Sequence, residues 1–257
     1  MLSVEGFQSA FKYIQLFKEG LVCTVSLSAF TVIFGFVLAL VLALMRMADF
    51  RPFRFLDNTQ GGEGRTGFAG TLSRFRPLSF IASVYIEVFR ATPLMVQLFI
   101  VYYILLAGLD LPTFKLFGLI RFERFIPGVI ALSLNSAAYL SEIIRSGIQS
   151  IDGGQTEAAR SLGMTQGQNM RYIVLPQAIK NILPALCNEG IAVLKETSIV
   201  GLISVVDLTR ASDLVRSRTL SPYFPLIAVA IVYYILVAGL SAAVSAMERR
   251  LAQSDRH

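Results

Sequence analysis

The sequence predicts an all-α integral membrane protein with five transmembrane helices and a cytoplasmic helix–turn–helix loop. Three observations predict it. Of 257 residues, 54% are apolar and 16% are charged, where a soluble domain carries about 25% charged residues. The apolar residues stand in long runs, not on amphipathic stripes. Between the third and fourth runs lies a polar stretch rich in helix-capping residues, from Arg145 to Lys180.

The first span falls at about residues 21–45, inside an uncharged run from Gly20 to Met45. That run exceeds the ~20 apolar residues needed to cross the hydrocarbon core. Residues 1–20 read as an external N-terminal segment without the pattern of a cleavable leader, so no cleavage is expected. A Gly-rich polar insert at about 58–76 reads as a mobile surface loop. The second span, about 78–107, contains Glu87, Arg90 and the pair Thr92-Pro93, where a kink is expected. The third runs at about 125–144. The fourth, about 181–206, is the least apolar and is interrupted by Lys195-Glu196-Thr197-Ser198. The fifth, about 219–247, carries no charge, and residues 251–257 form a tail. Together 21–250 make one membrane domain, with 145–180 as its largest structured loop.

Basic residues orient these spans. Thirteen Lys and Arg fall in the loop after the first span, the 145–180 loop and the C-terminal tail, against eight in the segments facing the other side. The richer side is cytoplasmic, which places the N-terminus outside and the C-terminus inside. The same placement makes the net charge of +6 a topology signal and not a nucleic-acid patch. Two separated Cys and one His give no disulfide framework, and no metal cofactor is expected.

The 145–180 loop holds the most specific pattern: Glu157-Ala158-Ala159, then Gly163, then Ile173, Leu175 and Pro176. Asp152 with Gln155 and Thr165 with Gln168 are spaced as N-caps with partners three residues on. Ala158, Ala159 and Leu162 suit a short helix, and Gly163 suits its left-handed end. The spacing resembles the E-A-A-x3-G-x9-I-x-L-P loop of permeases of the ATP-binding-cassette (ABC) import family. Phe89-Arg90-Ala91-Thr92-Pro93-Leu94-Met95-Val96-Gln97 resembles a segment of the polar amino-acid branch, as do Leu134 to Tyr139 with Glu142 and Arg145, and Asn188-Glu189 with Leu194 to Ser198. The insert at 58–76 departs from that branch.

The resemblance implies the type I importer permease fold in a bacterial cytoplasmic membrane. It implies a polar amino acid as substrate. It also implies partners: a dimer of ABC ATPase subunits, a second permease subunit, identical or homologous, and an extracytoplasmic amino-acid-binding protein. The Glu157–Leu162 helix would be the coupling element, with Pro176 closing the pattern. ATP and Mg would belong to the ATPase, since this chain has no G-x-x-x-x-G-K-[ST] loop. The chain itself is read as non-catalytic and free of cofactors.

Ionisable groups in hydrocarbon cost ~3 kcal/mol each on insertion scales, so those in the spans must face protein or water, not lipid. Glu87 and Arg90, one turn apart, are spaced to pair. Asn135, Tyr139 and Glu142 share one face of the third span. With Arg90, Thr92, Gln97, Lys195, Glu196, Thr197 and Ser198 they form the candidate substrate path, in which Glu142 would favour a cationic substrate. A self-contained secondary carrier is the alternative, but inverted repeats are not visible. A membrane enzyme would need a metal cluster or nucleophile–base pair that the spans lack.

Overall fold

A computed structural model describes residues 12–51, 74–220 and 223–253. The expectations for 1–11, for 52–73, which hold most of the insert, and for 254–257 lie outside the described residues. Helix α1 runs Ile14–Met47, α2 Pro77–Ala91 and α3 Leu94–Ile100, the last prolonged by a π-turn over Val101–Leu105. A two-stranded hairpin follows, with β1 (Lys115–Leu116) antiparallel to β2 (Ile120–Arg121). Then come α4 (Phe122–Gln149), α5 (Gly153–Ser161), α6 (Gln166–Asn169), a π-turn over Met170–Val174, and α7 (Leu175–Glu196). A 3-10 segment, Thr197–Ile203, leads to α8 (Leu208–Thr219) and α9 (Phe224–Gln253).

Three described helices, α1, α4 and α9, are long and apolar enough to cross a membrane, and the pair α2 and α3 makes a fourth if it is one span. That pair is bent by 110°. The sequence expects a kinked second span, but the structure makes a break. Pro93 has no N–H to donate, and Thr92 is extended, so the helical ladder stops there. Helix α7 falls short of the same apolarity, in keeping with the charges it carries.

Helix α4 is the centre of the molecule, with 67% of its most apolar stretch buried against 6% for α9. It packs along α1 through small residues. A Cβ on Gly35 would touch Ser136 at 3.4 Å, and one on Gly147 would meet Ile182 of α7 at 2.2 Å. Close backbone approach through small residues is how helices associate where burial from water gives no drive between them. One core gathers Leu27, Leu98, Phe125, Leu132 and Val200; a second gathers Ala39, Leu42, Ala82, Leu140, Ile144 and Ile182. Helix α9 exposes Ile227, Ile231, Ile235 and Leu240, a surface suited to lipid or to another apolar helix.

At the end of the bundle where α1 begins, the start of α8 is tied to α1. The Leu208 N–H donates to Thr24 Oγ1, and Asp207 caps α8 by accepting from the Thr209 and Arg210 N–H groups. A Cβ on Gly20 would lie 2.8 Å from the Asp207 carbonyl oxygen, so no larger residue fits there without backbone movement.

Candidate functional site

Two features carry chemistry: a cavity beside the broken helix and the loop between α4 and α7. The cavity, about 470 Å³, is lined by Arg46, Ser83, Ile86, Glu87, Arg90, Ala91, Tyr139 and Glu142. It lies between the end of α1, one face of α2 and the second half of α4.

Of the candidate path, the structure brings Arg90, Tyr139 and Glu142 to this cavity. Arg90 lies over the Tyr139 ring, 5.7 Å from its centroid, a cation–π contact. The expected Glu87–Arg90 ion pair does not form among the described residues. Both groups face the cavity instead, which leaves one cation and one carboxylate available to a ligand. Glu142 is committed elsewhere: its two oxygens take Arg46 of α1 and Arg145 one turn on. The sequence suggests that Glu142 favours a cationic substrate; in the structure two arginines of this chain already hold it.

Thr92, Gln97 and Asn135 serve the break between α2 and α3. Gln97 Nε2 lies 2.9 Å from the Phe89 carbonyl, 3.0 Å from the Thr92 carbonyl and 2.8 Å from Thr92 Oγ1. Asn135 Nδ2 donates to Gln97 Oε1 at 2.9 Å and to the Phe89 carbonyl at 3.3 Å. These amides supply donors to carbonyls freed where the helix stops, which an exposed break in hydrocarbon could not find. Tyr85 OH donates to the Leu134 carbonyl at 2.8 Å and adds a second tie between α2 and α4.

Lys195, Glu196, Thr197 and Ser198 do not line the cavity. They mark the change from α-helix to 3-10 helix at the end of α7. Thr197 is fully buried and donates to the Leu194 carbonyl, Lys195 is exposed, and Glu196 and Ser198 are half-buried.

The loop forms a compact projection. Asp152 caps α5, accepting from the Gly154 N–H; Gln155 does not return the bond but accepts from Gln177 of α7. Ala159 is buried beneath α5, while Glu157, Ala158 and Leu162 are exposed, Leu162 at 84%. Gly163 sits at φ +81°, and the Met164 N–H reaches back to the Ala159 carbonyl, the left-handed helix ending that glycine favours. Thr165 and Gln168 form a reciprocal capping box. Asn169 Nδ2 bonds Thr156 Oγ1 at 3.2 Å, holding α6 against α5, and Pro176 stands in the first turn of α7.

Two members of the site were not singled out in the sequence. Arg46 counts there only as a topology charge, and Ser83 as one polar residue in a span. Arg46 pairs across 96 positions, which no local spacing reveals. Its signal is weaker: it is the first charge after a long apolar helix, where snorkelling is the ordinary reading.

A bundle with a broken span, a polar cavity in the membrane region and a surface projection between two helices defines a membrane-embedded transport subunit. Residues 66–253 match the model of a family described as binding-protein-dependent transport system inner membrane component. The chain is 39% identical over 249 residues to the arginine transport system permease protein ArtQ of Bacillus subtilis, covering 97% of this chain and 98% of that one. It is 36% identical over 233 residues to the putative glutamine transport system permease protein GlnP of Rickettsia bellii, with 91% of each covered. Among solved structures it resembles a chain of an amino acid ABC transporter determined with histidines, at TM-score 0.78 and 41% identity, over 95% of this chain and 98% of the other. The MetNI methionine ABC transporter shares the fold, at TM-score 0.63 and 18% identity over 93% and 97% of the two chains. The chain belongs to the binding-protein-dependent transport inner membrane component family, and is a permease subunit of an ABC importer.

Proposed function

We propose that this permease carries polar amino acids through the cavity beside the broken helix. The carrying observation is the unpaired Glu87 and Arg90 at one 470 Å³ cavity, the two charges an amino acid's ammonium and carboxylate require. Tyr139 adds a ring, under Arg90, and a hydroxyl to the same lining. The relatives named for arginine and glutamine support the class. Transport of labelled amino acids by the complex in liposomes, with its ATPase and binding protein, tests it. Arg90→Ala is expected to reduce transport of every amino acid ~10-fold or more, since a charge-assisted contact to the shared carboxylate is worth ~1.5–3 kcal/mol. Undiminished transport by Arg90→Ala would place the path elsewhere.

Helix α7 with its 3-10 extension serves as the fourth span in chain order and brings the total to five. The N-terminus lies outside, and the α5–α6 projection faces the cytoplasm, where it docks on a dimer of ATPase subunits that bind ATP and Mg. A second permease subunit and an extracytoplasmic binding protein complete the importer, in a bacterial cytoplasmic membrane. The basic bias and the match of the projection to the coupling-loop pattern support this orientation. A cysteine replacing the exposed Ser161, in a Cys-free background, is expected to resist an impermeant maleimide in intact cells and to react in inverted vesicles. Labelling from outside would reverse the topology.

A further inference from the structure

A second cavity, about 310 Å³, lies at the end of the bundle where α1 and α4 begin, whereas the first lies against the end of α1 and the second half of α4. Its charged walls are Glu19 on α1, Lys115 and Arg121 on the hairpin, and Arg124 at the start of α4. Arg124 Nη1 donates to the Ser204 carbonyl at 3.3 Å, which anchors the guanidinium and leaves other donors free. Among the described residues, none of Glu19, Lys115, Arg121 and Arg124 makes an ion pair. Both signs of charge therefore line one partly open cavity, Glu19 and Arg124 half-buried and Lys115 and Arg121 exposed, without satisfying each other.

The size is at the small end of ligand pockets, ~300–1,000 Å³, and fits a single amino acid and little more. A simple anion or an acidic side chain of a docked protein would need the cations alone, and Glu19 in the same wall would repel it. An α-ammonium needs that carboxylate, while an α-carboxylate needs a fork of N–H donors such as Arg121 and Arg124 supply. The excess of cations over Glu19 then disfavours a cationic side chain. We propose that this cavity is a second amino-acid site, on the external side, selecting neutral and acidic amino acids over cationic ones before they reach the membrane cavity. The proposal rests on amino acids being the cargo and on the external placement of this end.

The test uses the permease purified with its ATPase in lipid nanodiscs, without binding protein, so that docking cannot contribute. Leu119, exposed at the rim of the cavity, is replaced by cysteine after Cys23 and Cys187 are changed to alanine. Glutamine and glutamate are expected to slow modification of this cysteine by a small thiol reagent, arginine less, and acetate or an alkylamine hardly at all. Glu19→Gln and Arg121→Gln, which remove no side-chain hydrogen bond among the described residues, are each expected to raise the half-protecting concentration about tenfold. Arg90→Ala should reduce transport as above yet leave protection intact, which separates this site from the membrane cavity. Equal protection by acetate, loss of protection in Arg90→Ala, or no protection by any amino acid each overturns the proposal. So does a separate measurement with binding protein added in which Arg121→Gln weakens docking, if protection by glutamine in its absence is unchanged.

Discussion

Gly163→Val is expected to remove most substrate-stimulated ATP hydrolysis while leaving insertion and assembly of the spans intact. The reason is backbone, not space: nothing lies within 4 Å of a Cβ at this position, but φ is +81°. A β-branched residue resists that conformation strongly, and the left-handed region costs non-glycine residues ~1–2 kcal/mol. The cost falls on the one joint that turns the chain between α5 and α6. With the joint shifted, the exposed Leu162 and Glu157 would no longer meet the proposed ATPase groove in register, and closure of two ATPase subunits around nucleotide would not be passed to the spans. Gly163→Asn, which tolerates positive φ, should retain most of the response. Purification through a tag on the permease, followed by ATPase assay with binding protein and substrate, reads both. If the valine variant retains the ATPase and responds fully, the loop is not the coupling element.

How far the sequence reached can be judged from particular elements. The uncharged runs locate α1 and α9; the structure extends α1 at both ends, while α9 starts later, at Phe224, and runs further, to Gln253. Helices continue beyond the hydrocarbon wherever no breaker stops them, so Lys18 and Glu19 remain helical in α1. Hydropathy alone sees the core of a span and not its ends. The projection between α4 and α7 was legible because caps and glycines act locally: Thr165 with Gln168 and the left-handed Gly163 appear as their spacing suggests. The spacing of Gln155 from Asp152 suggests a local partner, but Gln155 bonds to Gln177, which belongs to another helix.

The second span shows the same boundary between local and tertiary information. Thr92-Pro93 announces a disturbance, but a bend of 110° is held by Gln97 and Asn135 bonding to freed carbonyls. Residues that looked like a polar path in sequence are therefore divided by the fold. Thr92, Gln97 and Asn135 stabilise the break, while Arg90, Tyr139 and Glu87, whose spacing suggests only a pair with Arg90, face the cavity. Helical spacing correctly puts Asn135, Tyr139 and Glu142 on one face, yet a face 28 residues long passes several environments.

Glu142→Gln is expected to lower stability and to reduce transport of all substrates together, not to change which amino acid is carried. Its oxygens hold Arg46 and Arg145, so the amide leaves two guanidinium groups without a counter-charge. Breaking a fully buried pair costs ~3–5 kcal/mol. Here the three side chains retain 18–32% exposure, so water recovers part of the loss. A cost of about 2 kcal/mol, between an exposed and a buried pair, is the expectation. The pair ties the end of α1 to α4 at the wall of the membrane cavity, so loosening it also deforms the site. Arg46→Gln should produce the same fall in melting temperature, and the double variant should lose less than the sum of the two single changes, because the second substitution removes a charge already left unpaired. Melting in detergent together with uptake of arginine and glutamine by the reconstituted complex separates the roles. Normal stability with selective loss of arginine uptake would make Glu142 a substrate ligand and its arginine contacts incidental.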